Sequence, residues 1–442
     1  MQAGGIGQLV FVSGFILMHN ESEKLSIFAR RKPDESDNYY LPMQRLKIIS
    51  DDKIPFLKGV MEPYVDIIYL SGAKTTADDV KDADAIFTRT RTKCNESLLK
   101  GSNVKLIATA TIGYDHIDTD YCDAAGIRWV NAPGCNSWSV HQYITTAIAT
   151  LAVNRNLKLS ELTLGVIGVG NVGSKVARAA EALGMRVLLN DPPRADKEGP
   201  DAFTDLDTLL SESDIVTCHT PLTKPSQISP LSLGERSGER LSFSSYPTYR
   251  LASDDFFAKM KNGTVFINSS RGPVVDTEAL KRAIKTKLSD YILDVWEGEP
   301  VLDSSLLEGA FIGTPHIAGY SSDGKANGTA ACVHEFCSFF GLDILKDWYP
   351  ESIPPPPFPT TFSIDGAGKS DEQIIYEAVT HTYPILEDSS RLKNSPSTFE
   401  EQRGEYWIRR EFKNFTLTLE NVNPTVSDTL KNIGFKIISE NI

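Results

Sequence analysis

Short apolar runs alternate along most of this chain with longer stretches in which apolar residues recur at helical spacing. Runs at 46–50, 65–70, 85–89 and 105–108 predict short buried strands, and a run at 128–131 predicts another. Strands that alternate with amphipathic helices are typical of a parallel α/β sheet. Residues 46–131 are therefore predicted to have a parallel α/β architecture.

The same alternation continues after a long predicted helix that Ser137 could cap. Further strands are predicted at 164–167, 186–190, 215–218, 264–268, 291–294 and 311–313. A proline run at 354–357 favours an extended linker. Beyond it, helices are predicted at 374–379 and 399–410 and a strand at 415–419, which indicates a small α+β unit.

Two segments do not fit this pattern. Residues 1–45 have no steady period, and they could be an extension or translated sequence upstream of a start at Met43. Residues 226–245 are rich in Ser, Gly and Arg and would form an unusually long loop inside a compact domain. The repeat Gly-Glu-Arg-Ser-Gly-Glu-Arg favours an in-frame insertion over a binding loop, so we expect this segment at the surface and mobile.

A glycine-rich turn follows the strand at 164–167, in the sequence LGVIGVGNVG. Gly168 allows a tight turn, Gly170 lets the backbone approach a pyrophosphate, and Gly173 lets the next helix pack close to the strand. The N-terminus of that helix presents free N–H groups and the positive end of its dipole to phosphates. The order of strand, glycines, helix and second strand predicts a dinucleotide-binding site.

Asp191 stands at the end of the second of those strands, about 20 residues past the glycines, where an acid can bind ribose hydroxyls. Its charge would repel a 2′-phosphate, so the predicted cofactor is NAD rather than NADP. Arg194 lies nearby and weakens that preference.

Composition limits the possible partners. The net charge of −13 argues against nucleic acid or an anionic membrane as a main partner. No apolar stretch is long enough to span a bilayer. The six cysteines lack the spacing of a metal site, so no metal is predicted, and reduced thiols in a cytoplasmic protein are expected.

Three ionisable residues come just after predicted strands of the second sheet: Arg271, Glu299 and His316. Ligands of open α/β sheets bind outside the carboxyl ends of the strands. Each residue alone is more often part of a structural ion pair or a cap. The three together favour a catalytic set.

Several motifs make the chain resemble the D-2-hydroxyacid dehydrogenase superfamily. They are APGCN at 132–136, DPPRAD at 191–196, LDVWEGEP at 293–300 and HIAGY at 316–320. The sequence FEEQRGEYWIRREF at 399–412 is similar to the C-terminal dimerisation domain of one branch of that superfamily. This branch oxidises the 2-hydroxyl of a phosphorylated 2-hydroxy acid, 4-phospho-D-erythronate, in vitamin B6 biosynthesis.

The resemblance implies a role for each candidate residue. His316 would accept the hydroxyl proton, Glu299 would hydrogen-bond His316, and Arg271 would hold the substrate carboxylate. The positions that match NAD contacts are Gly168, Gly170, Asn171, Val172, Gly173, Asp191, Thr220, Asp294 and Gly319. The positions that match substrate contacts are Thr90, Thr111 and Tyr320. Arg91, beside Thr90, could bind a phosphate or be a solvated surface charge.

The implied fold class is α/β, with two Rossmann-like doubly wound parallel-sheet domains, the substrate domain being discontinuous, plus a small α+β C-terminal dimerisation domain that would form a homodimer. The predicted boundaries are an extension at 1–45, a substrate domain at 46–137 and 317–350, an NAD domain at 138–316, a proline-rich linker at 351–357 and a dimerisation domain at 358–442. Two alternatives stay open. One is another D-2-hydroxyacid dehydrogenase, such as a phosphoglycerate or glyoxylate enzyme, and the other is an NAD-sensing binding protein with little turnover.

Overall fold

The computed structural model describes residues 10–12, 15–17, 45–223 and 246–438. The expected insertion at 226–245 lies outside the described residues, and so does most of the expected extension. Within that extension, strands β1 (Val10–Val12) and β2 (Phe15–Leu17) pair antiparallel.

An N-terminal sheet of five parallel strands follows, in the order β4-β3-β5-β6-β7. Its strands are β3 (Lys47–Asp51), β4 (Asp66–Leu70), β5 (Ala85–Thr88), β6 (Leu106–Thr109) and β7 (Arg128–Val130). Its connecting helices are α1 (Ala77–Val80), α2 (Glu96–Leu99) and α3 (Thr119–Ala125). The strand order reverses between β3 and β5, so the carboxyl ends of these two strands open a crevice that can bind a ligand.

The long helix α4 (Ser137–Arg155) leads into a central sheet of six parallel strands, in the order β13-β12-β11-β10-β8-β9. Its strands are β8 (Thr163–Ile167), β9 (Arg186–Asn190), β10 (Ile215–Cys218), β11 (Thr264–Asn268), β12 (Leu288–Leu293) and β13 (Ile312–Gly313). Its helices are α5 (Gly173–Ala182), α6 (Pro192–Glu198), α7 (Leu206–Glu212), α8 (Asp254–Lys259), α9 (Thr277–Ile284) and α10 (Ser304–Gly309). Here the order reverses between β8 and β10. The predicted α/β class with parallel sheets is confirmed.

The return helix α11 (Ser322–Phe340) packs against the N-terminal sheet, with Val333 and Phe336 buried beside Phe87 and Ile48. A C-terminal sheet of three parallel strands follows, made of β14 (Thr361–Asp365), β15 (Thr416–Glu420) and β16 (Lys436–Ile438). Its helices are α12 (Asp371–Thr382), α13 (Ile385–Asn394), α14 (Phe399–Gly404) and α15 (Pro424–Asn432). Single 3₁₀ turns lie at Gly72–Lys74, Leu159–Glu161, Pro200–Ala202, Gly272–Val274, Asp343–Leu345, Pro396–Thr398 and Phe412–Asn414.

The C-terminal unit, residues 358–438, shares one apolar core with the central sheet. Helix α12 packs on α4 and helix α15 packs on α5. The Thr429 hydroxyl also donates to the Ala182 carbonyl at 2.8 Å. Because α4 is covered on nearly all sides, residues from Ser139 to Ala152 are buried almost without interruption. The helix is therefore an internal support rather than an amphipathic surface helix.

Two local predictions need correction. Ser137 does not cap α4, because its hydroxyl donates to the Gly134 carbonyl at 2.7 Å and Asn136 occupies the cap position. The helix predicted at 399–410 ends at Gly404. The residues after it leave helical geometry because their side chains bond to distant elements, as described below for Arg409 and Arg410.

Candidate active site

The glycine loop after β8 has the geometry of a dinucleotide cradle. Gly168 has φ of +85°, and a Cβ there would lie 2.8 Å from the His219 carbonyl oxygen. A Cβ on Gly173 would lie 2.0 Å from the Gly168 oxygen, so only glycine lets α5 begin this close to the strand. A Cβ on Gly170 would meet nothing within 4 Å, so the backbone there faces open space. Asn171 and Val172 complete the turn into α5, where free N–H groups favour a pyrophosphate.

The cradle lies at the point where the order of the central strands reverses. Strand β10 runs beside β8 and ends at Cys218, which places Thr220 at the same edge of the sheet. The Thr220 hydroxyl is buried and has no hydrogen-bond partner among the described residues. Buried polar atoms are nearly always bonded, so this hydroxyl fits a contact with a bound cofactor. The position of the cradle at the strand-order reversal and the unbonded Thr220 hydroxyl both agree with an NAD site.

Asp191 lies directly against the glycine loop. One carboxylate oxygen accepts from the Val169 amide at 2.8 Å, and the other accepts from the Arg194 amide at 3.1 Å at the start of α6. The Arg194 guanidinium is occupied by Glu198, at 2.8 and 2.6 Å, and by the Val169 carbonyl at 2.7 Å. Because Arg194 is already paired, it offers little to a 2′-phosphate, and the acid remains the dominant charge.

The three candidate catalytic residues follow the carboxyl ends of three adjacent strands. In the register of the central sheet, Asn268 on β11 is beside Leu293 on β12, which is beside Gly313 on β13. Arg271, Glu299 and His316 come three to six residues after these positions. The sheet therefore brings together residues that are up to 45 positions apart in the sequence.

Glu299 and His316 form a close pair. His316 Nδ1 lies 2.6 Å from Glu299 Oε1, and the other carboxylate oxygen accepts from the Trp296 amide at 3.2 Å. Burial acts to raise the pKa of Glu299, but the hydrogen bond and charge of His316 outweigh burial and lower it. An ionised Glu299 holds the proton on Nδ1 and leaves Nε2 of His316 to exchange a proton with a substrate.

The backbone around His316 is constrained. His316 has φ of +56°, a left-handed conformation that costs a non-glycine residue roughly 1–3 kcal/mol unless its surroundings hold it. Asp294 supplies part of that support, since its carboxylate accepts from the Ile317 and Ala318 amides at 2.7 and 2.9 Å and from the Thr314 hydroxyl at 2.7 Å. Burial raises the pKa of Asp294. These three bonds satisfy the buried carboxylate without a cofactor, so the contact of Asp294 with NAD stays a prediction.

Arg271 reaches across the cleft toward the N-terminal sheet. Its Nε lies 3.6 Å from an Asp115 carboxylate oxygen, and a Cβ on Gly113 would lie 2.7 Å from its Nη2. A Cβ on Gly272 would lie 2.1 Å from the Trp296 oxygen, so this glycine keeps Arg271 close to the Glu299 loop. About a quarter of the Arg271 side chain is exposed, which leaves it open to a carboxylate ligand.

The predicted substrate positions differ in how free their hydroxyls are. Thr90 is exposed, just after β5, where the order of the N-terminal strands reverses. The Thr111 hydroxyl is already bonded to the Gly113 and Arg89 carbonyls, at 2.8 and 3.1 Å. The Tyr320 hydroxyl accepts from Arg403 Nη2 at 3.0 Å. Gly319, a predicted NAD position, packs against Asn136, since a Cβ there would lie 2.2 Å from Asn136 Nδ2.

A set of cations beside Tyr320 was not predicted from the sequence. Lys325 on α11, Arg403 on α14 and Arg89, which directly follows β5, are here called the cationic cluster; burial and the charge of Arg89 act to lower the pKa of Lys325. Lys325 Nζ lies 5.2 Å and the Arg403 guanidinium carbon 5.6 Å from the centre of the Tyr320 ring. Arg91 does not join the cluster, because it is exposed and contacts the Glu400 carboxylate. No local motif marks these residues, since the fold alone brings them together.

Other types of site find little support. Across the described ranges, no group of His, Cys, Asp or Glu side chains is arranged to hold a metal ion. Cys135, in the Pro-Gly-Cys-Asn turn, is half-buried, and burial raises the pKa of its thiol to about 12. No helix in the part of the chain that the structure describes is long and apolar enough to cross a membrane.

Known proteins resemble this chain over most of its length. Residues 46–433 match the family described as D-isomer specific 2-hydroxyacid dehydrogenase, catalytic domain, and the chain belongs to that family. It is 48% identical to the erythronate-4-phosphate dehydrogenase of Bacteroides thetaiotaomicron, over 84% of this chain and 99% of that one. It is 40% identical to the Porphyromonas gingivalis protein of the same name, over 84% of this chain and 95% of that one.

Solved structures give the same result for the fold. A D-lactate dehydrogenase from Aquifex aeolicus, complexed with NAD and lactic acid, is 29% identical with a TM-score of 0.52 and covers 70% of this chain and all of its own. The TT0316 protein from Thermus thermophilus is 26% identical with a TM-score of 0.53, over 67% of this chain and 97% of its own. The predictions of family and of an NAD-dependent dehydrogenase are confirmed.

Proposed function

We propose that the chain oxidises the 2-hydroxyl of 4-phospho-D-erythronate to the 2-oxo-3-hydroxy-4-phosphobutanoate, with NAD, in the biosynthesis of pyridoxal phosphate. The observation that carries this proposal is the cationic cluster beside Tyr320, since the charge of its Arg403 also acts to lower the pKa of Glu299 in the Glu299–His316 pair. This arrangement supports a phosphate site beside a site for hydroxyl oxidation. The names of the curated relatives support the same substrate.

NAD, when bound at the cradle, supplies the nicotinamide that accepts a hydride from the carbon bearing the 2-hydroxyl. His316 Nε2 takes the hydroxyl proton as the carbonyl forms, a task that suits imidazole because its ordinary pKa is near neutrality. Glu299, 2.6 Å from Nδ1, stabilises the positive charge that His316 then carries. Arg271 binds the adjacent carboxylate through its planar fork and turns the reacting carbon toward His316.

The cationic cluster suits a phosphate better than a neutral group. Lys325 forms no ion pair with a carboxylate among the described residues, and burial, with the charges of Arg89 and Arg409, lowers its pKa to about 8. Such an uncompensated, partly buried charge is unfavourable without an anionic partner. A phosphate with close to two negative charges would supply that partner. Arg403 can add a second donor, although it already bonds Glu400 at 3.0 Å.

Assembly as a homodimer through the C-terminal unit is part of the proposal, and so is a cytoplasmic location, which the six free thiols favour. Exposed apolar side chains on this unit, Leu386, Ile408 and Ile438, are candidate contacts. The intact chain should sediment at twice the mass of one chain. A single-chain mass at micromolar concentration would contradict the dimer.

The substrate is tested by kcat/KM with NAD for three acids. We expect 4-phospho-D-erythronate to be oxidised best, and D-erythronate, which lacks the phosphate, to lose about 100-fold or more because two charge-assisted contacts disappear. 3-Phospho-D-glycerate is one carbon shorter and should be poorer, since its phosphate cannot reach the cluster while the carboxylate stays on Arg271. Preference for 3-phospho-D-glycerate would favour another dehydrogenase of the family. NADH binding with no turnover of any acid would favour an NAD-sensing protein.

A further inference from the structure

Residues 405–411, here called the strap, leave helical geometry after α14 and run beside the loop that carries His316. Arg409 of the strap is completely buried, although it carries a charge. Its guanidinium carbon lies 4.4 Å from the centre of the Tyr383 ring and 5.7 Å from that of Tyr406. A buried charge is retained only where hydrogen bonds and nearby groups compensate it, so its bonds indicate what it does.

Those bonds end on the loop that carries His316, Ile317 and Ala318, here called the catalytic loop. Arg409 Nη2 donates to the Ala318 carbonyl at 2.6 Å and to the Ile317 carbonyl at 3.1 Å, and it also contacts the Ser139 hydroxyl on α4. The backbone carbonyl of Arg409 accepts from the Ser322 amide at 2.8 Å. The two peptide carbonyls that Arg409 holds belong to the two residues directly after His316.

The same two residues are held from the opposite side by Asp294. Its carboxylate accepts from the Ile317 and Ala318 amides at 2.7 and 2.9 Å. The amides are therefore fixed from the central sheet, the Ile317 carbonyl from the strap, and the Ala318 carbonyl from both the strap and the Ser139 hydroxyl on α4, which donates to it at 2.8 Å. His316 sits immediately before this segment with φ of +56°, a conformation that persists only where the surroundings hold it.

We infer that Arg409 is a positioning residue of the dehydrogenase. It keeps the loop after His316 in the geometry that pairs His316 with Glu299, so that the C-terminal unit completes the active site. This inference rests on the proposed role of His316 as the base.

The test compares Arg409→Met and Arg409→Lys with Arg410→Met. Arg410 is the matched control, because it lies on the same strap but bonds Asp323 at 3.0 and 3.1 Å and touches neither His316 nor the two residues after it. We expect Arg409→Met to lower kcat by about 10-fold or more, from the loss of a bond made by a charged donor, with KM and NADH affinity changed less than about threefold. Arg409→Lys should recover part of kcat, and Arg410→Met should stay within about threefold of wild type.

Two further measurements separate positioning from general stability. With substrate deuterated at the reacting carbon, the isotope effect on kcat should rise in Arg409→Met, because hydride transfer becomes slower relative to product release. Backbone amide exchange in 314–320 should speed up in Arg409→Met and not in Arg410→Met, whether or not any substrate is turned over. Wild-type kcat and exchange in Arg409→Met, or equal losses in both Met variants, would overturn the inference. A wild-type protein that oxidises none of the three acids would instead refute the proposed function.

Discussion

The cofactor cradle and the catalytic loop are supported in different ways. The cradle is built by one continuous segment, with the backbone at Gly168, Gly170 and Gly173 shaping the turn and Asp191 closing it at 2.8 Å from the Val169 amide. The loop after His316 is held by Asp294 and by Arg409, which lies 91 residues from Ala318. In the proposed mechanism, a local backbone design binds the cofactor, while the position of the base depends on distant parts of the chain. Binding and catalysis should therefore be separable by substitution.

The largest expected effect comes from His316→Asn. Asparagine tolerates the left-handed backbone that His316 adopts, so the loop should keep its shape while the base is lost. Turnover should fall by roughly 100-fold or more. The dissociation constant of NADH, measured by fluorescence titration, should stay within about twofold, since the cradle is untouched. Near-normal turnover would remove His316 from the mechanism.

The charge of the cationic cluster is expected to contribute to substrate binding, and this contribution can be tested by changing the pH. Because Lys325 has a pKa of about 8, it is charged below that pH and loses its charge as pH rises through it. The kcat/KM for 4-phospho-D-erythronate should therefore fall above about pH 8. Lys325→Arg should remove this alkaline limb, and Lys325→Met should lower kcat/KM by about 10-fold to 100-fold at pH 7 through the loss of a charge-assisted contact. A pH profile that is identical in wild type and Lys325→Arg would contradict the role of Lys325.

Substitutions of Asp191 test whether the cradle discriminates NAD from NADP. Asp191→Ala should narrow the preference for NAD over NADP by about 10-fold, because a hydrogen bond to a charged acceptor and a repulsion both disappear. Asp191→Asn is the matched variant, since it keeps an oxygen for the Arg194 amide at the start of α6 while it removes the charge and the acceptor for the Val169 amide. The ratio of kcat/KM values for the two cofactors gives the measurement. A wild-type preference for NADP would refute the role of this acid.

The smallest effect is expected from deleting residues 226–243. Thr223 and Thr248 close the chain on either side, with the Thr223 amide 2.8 Å from the Thr248 hydroxyl and the Thr248 amide 3.0 Å from the Thr223 carbonyl. Loop-closure free energy changes only slowly with length, so Tm should shift by less than about 3 °C. Activity should be equal or higher. Loss of folding on deletion, measured by calorimetry, would show that the segment is integral to the fold.

The cradle could be predicted from the sequence because its rules are local. Strands β10 and β11 were predicted at the residues where they occur, and the spacing of three glycines was enough to predict the turn. The glutamate and histidine were predicted as a pair only through resemblance to a family, since 17 residues separate them. Local spacing alone does not show that two strands bring these side chains within 2.6 Å.

The strap shows why the remaining contacts were missed. Residues 399–410 contain good helix formers, and propensity alone predicts that the helix continues past Gly404. The buried bonds of Arg409 to the catalytic loop and of Arg410 to Asp323 are worth more than a further helical turn. Lys325 and Arg403 were missed for a related reason. Each is an ordinary helical cation until the fold places it beside Tyr320.

In the proposed reaction, carbon 2 of the substrate transfers a hydride to NAD while His316 takes the hydroxyl proton. The most direct measurement uses 4-phospho-D-erythronate labelled with deuterium at carbon 2, with NAD and the intact chain. We expect the deuterium to be recovered in the reduced cofactor, which gains one mass unit relative to NADH from unlabelled substrate. Deuterium found in the water, with unlabelled NADH or none, would mean that carbon 2 loses a proton instead of a hydride and would contradict hydride transfer.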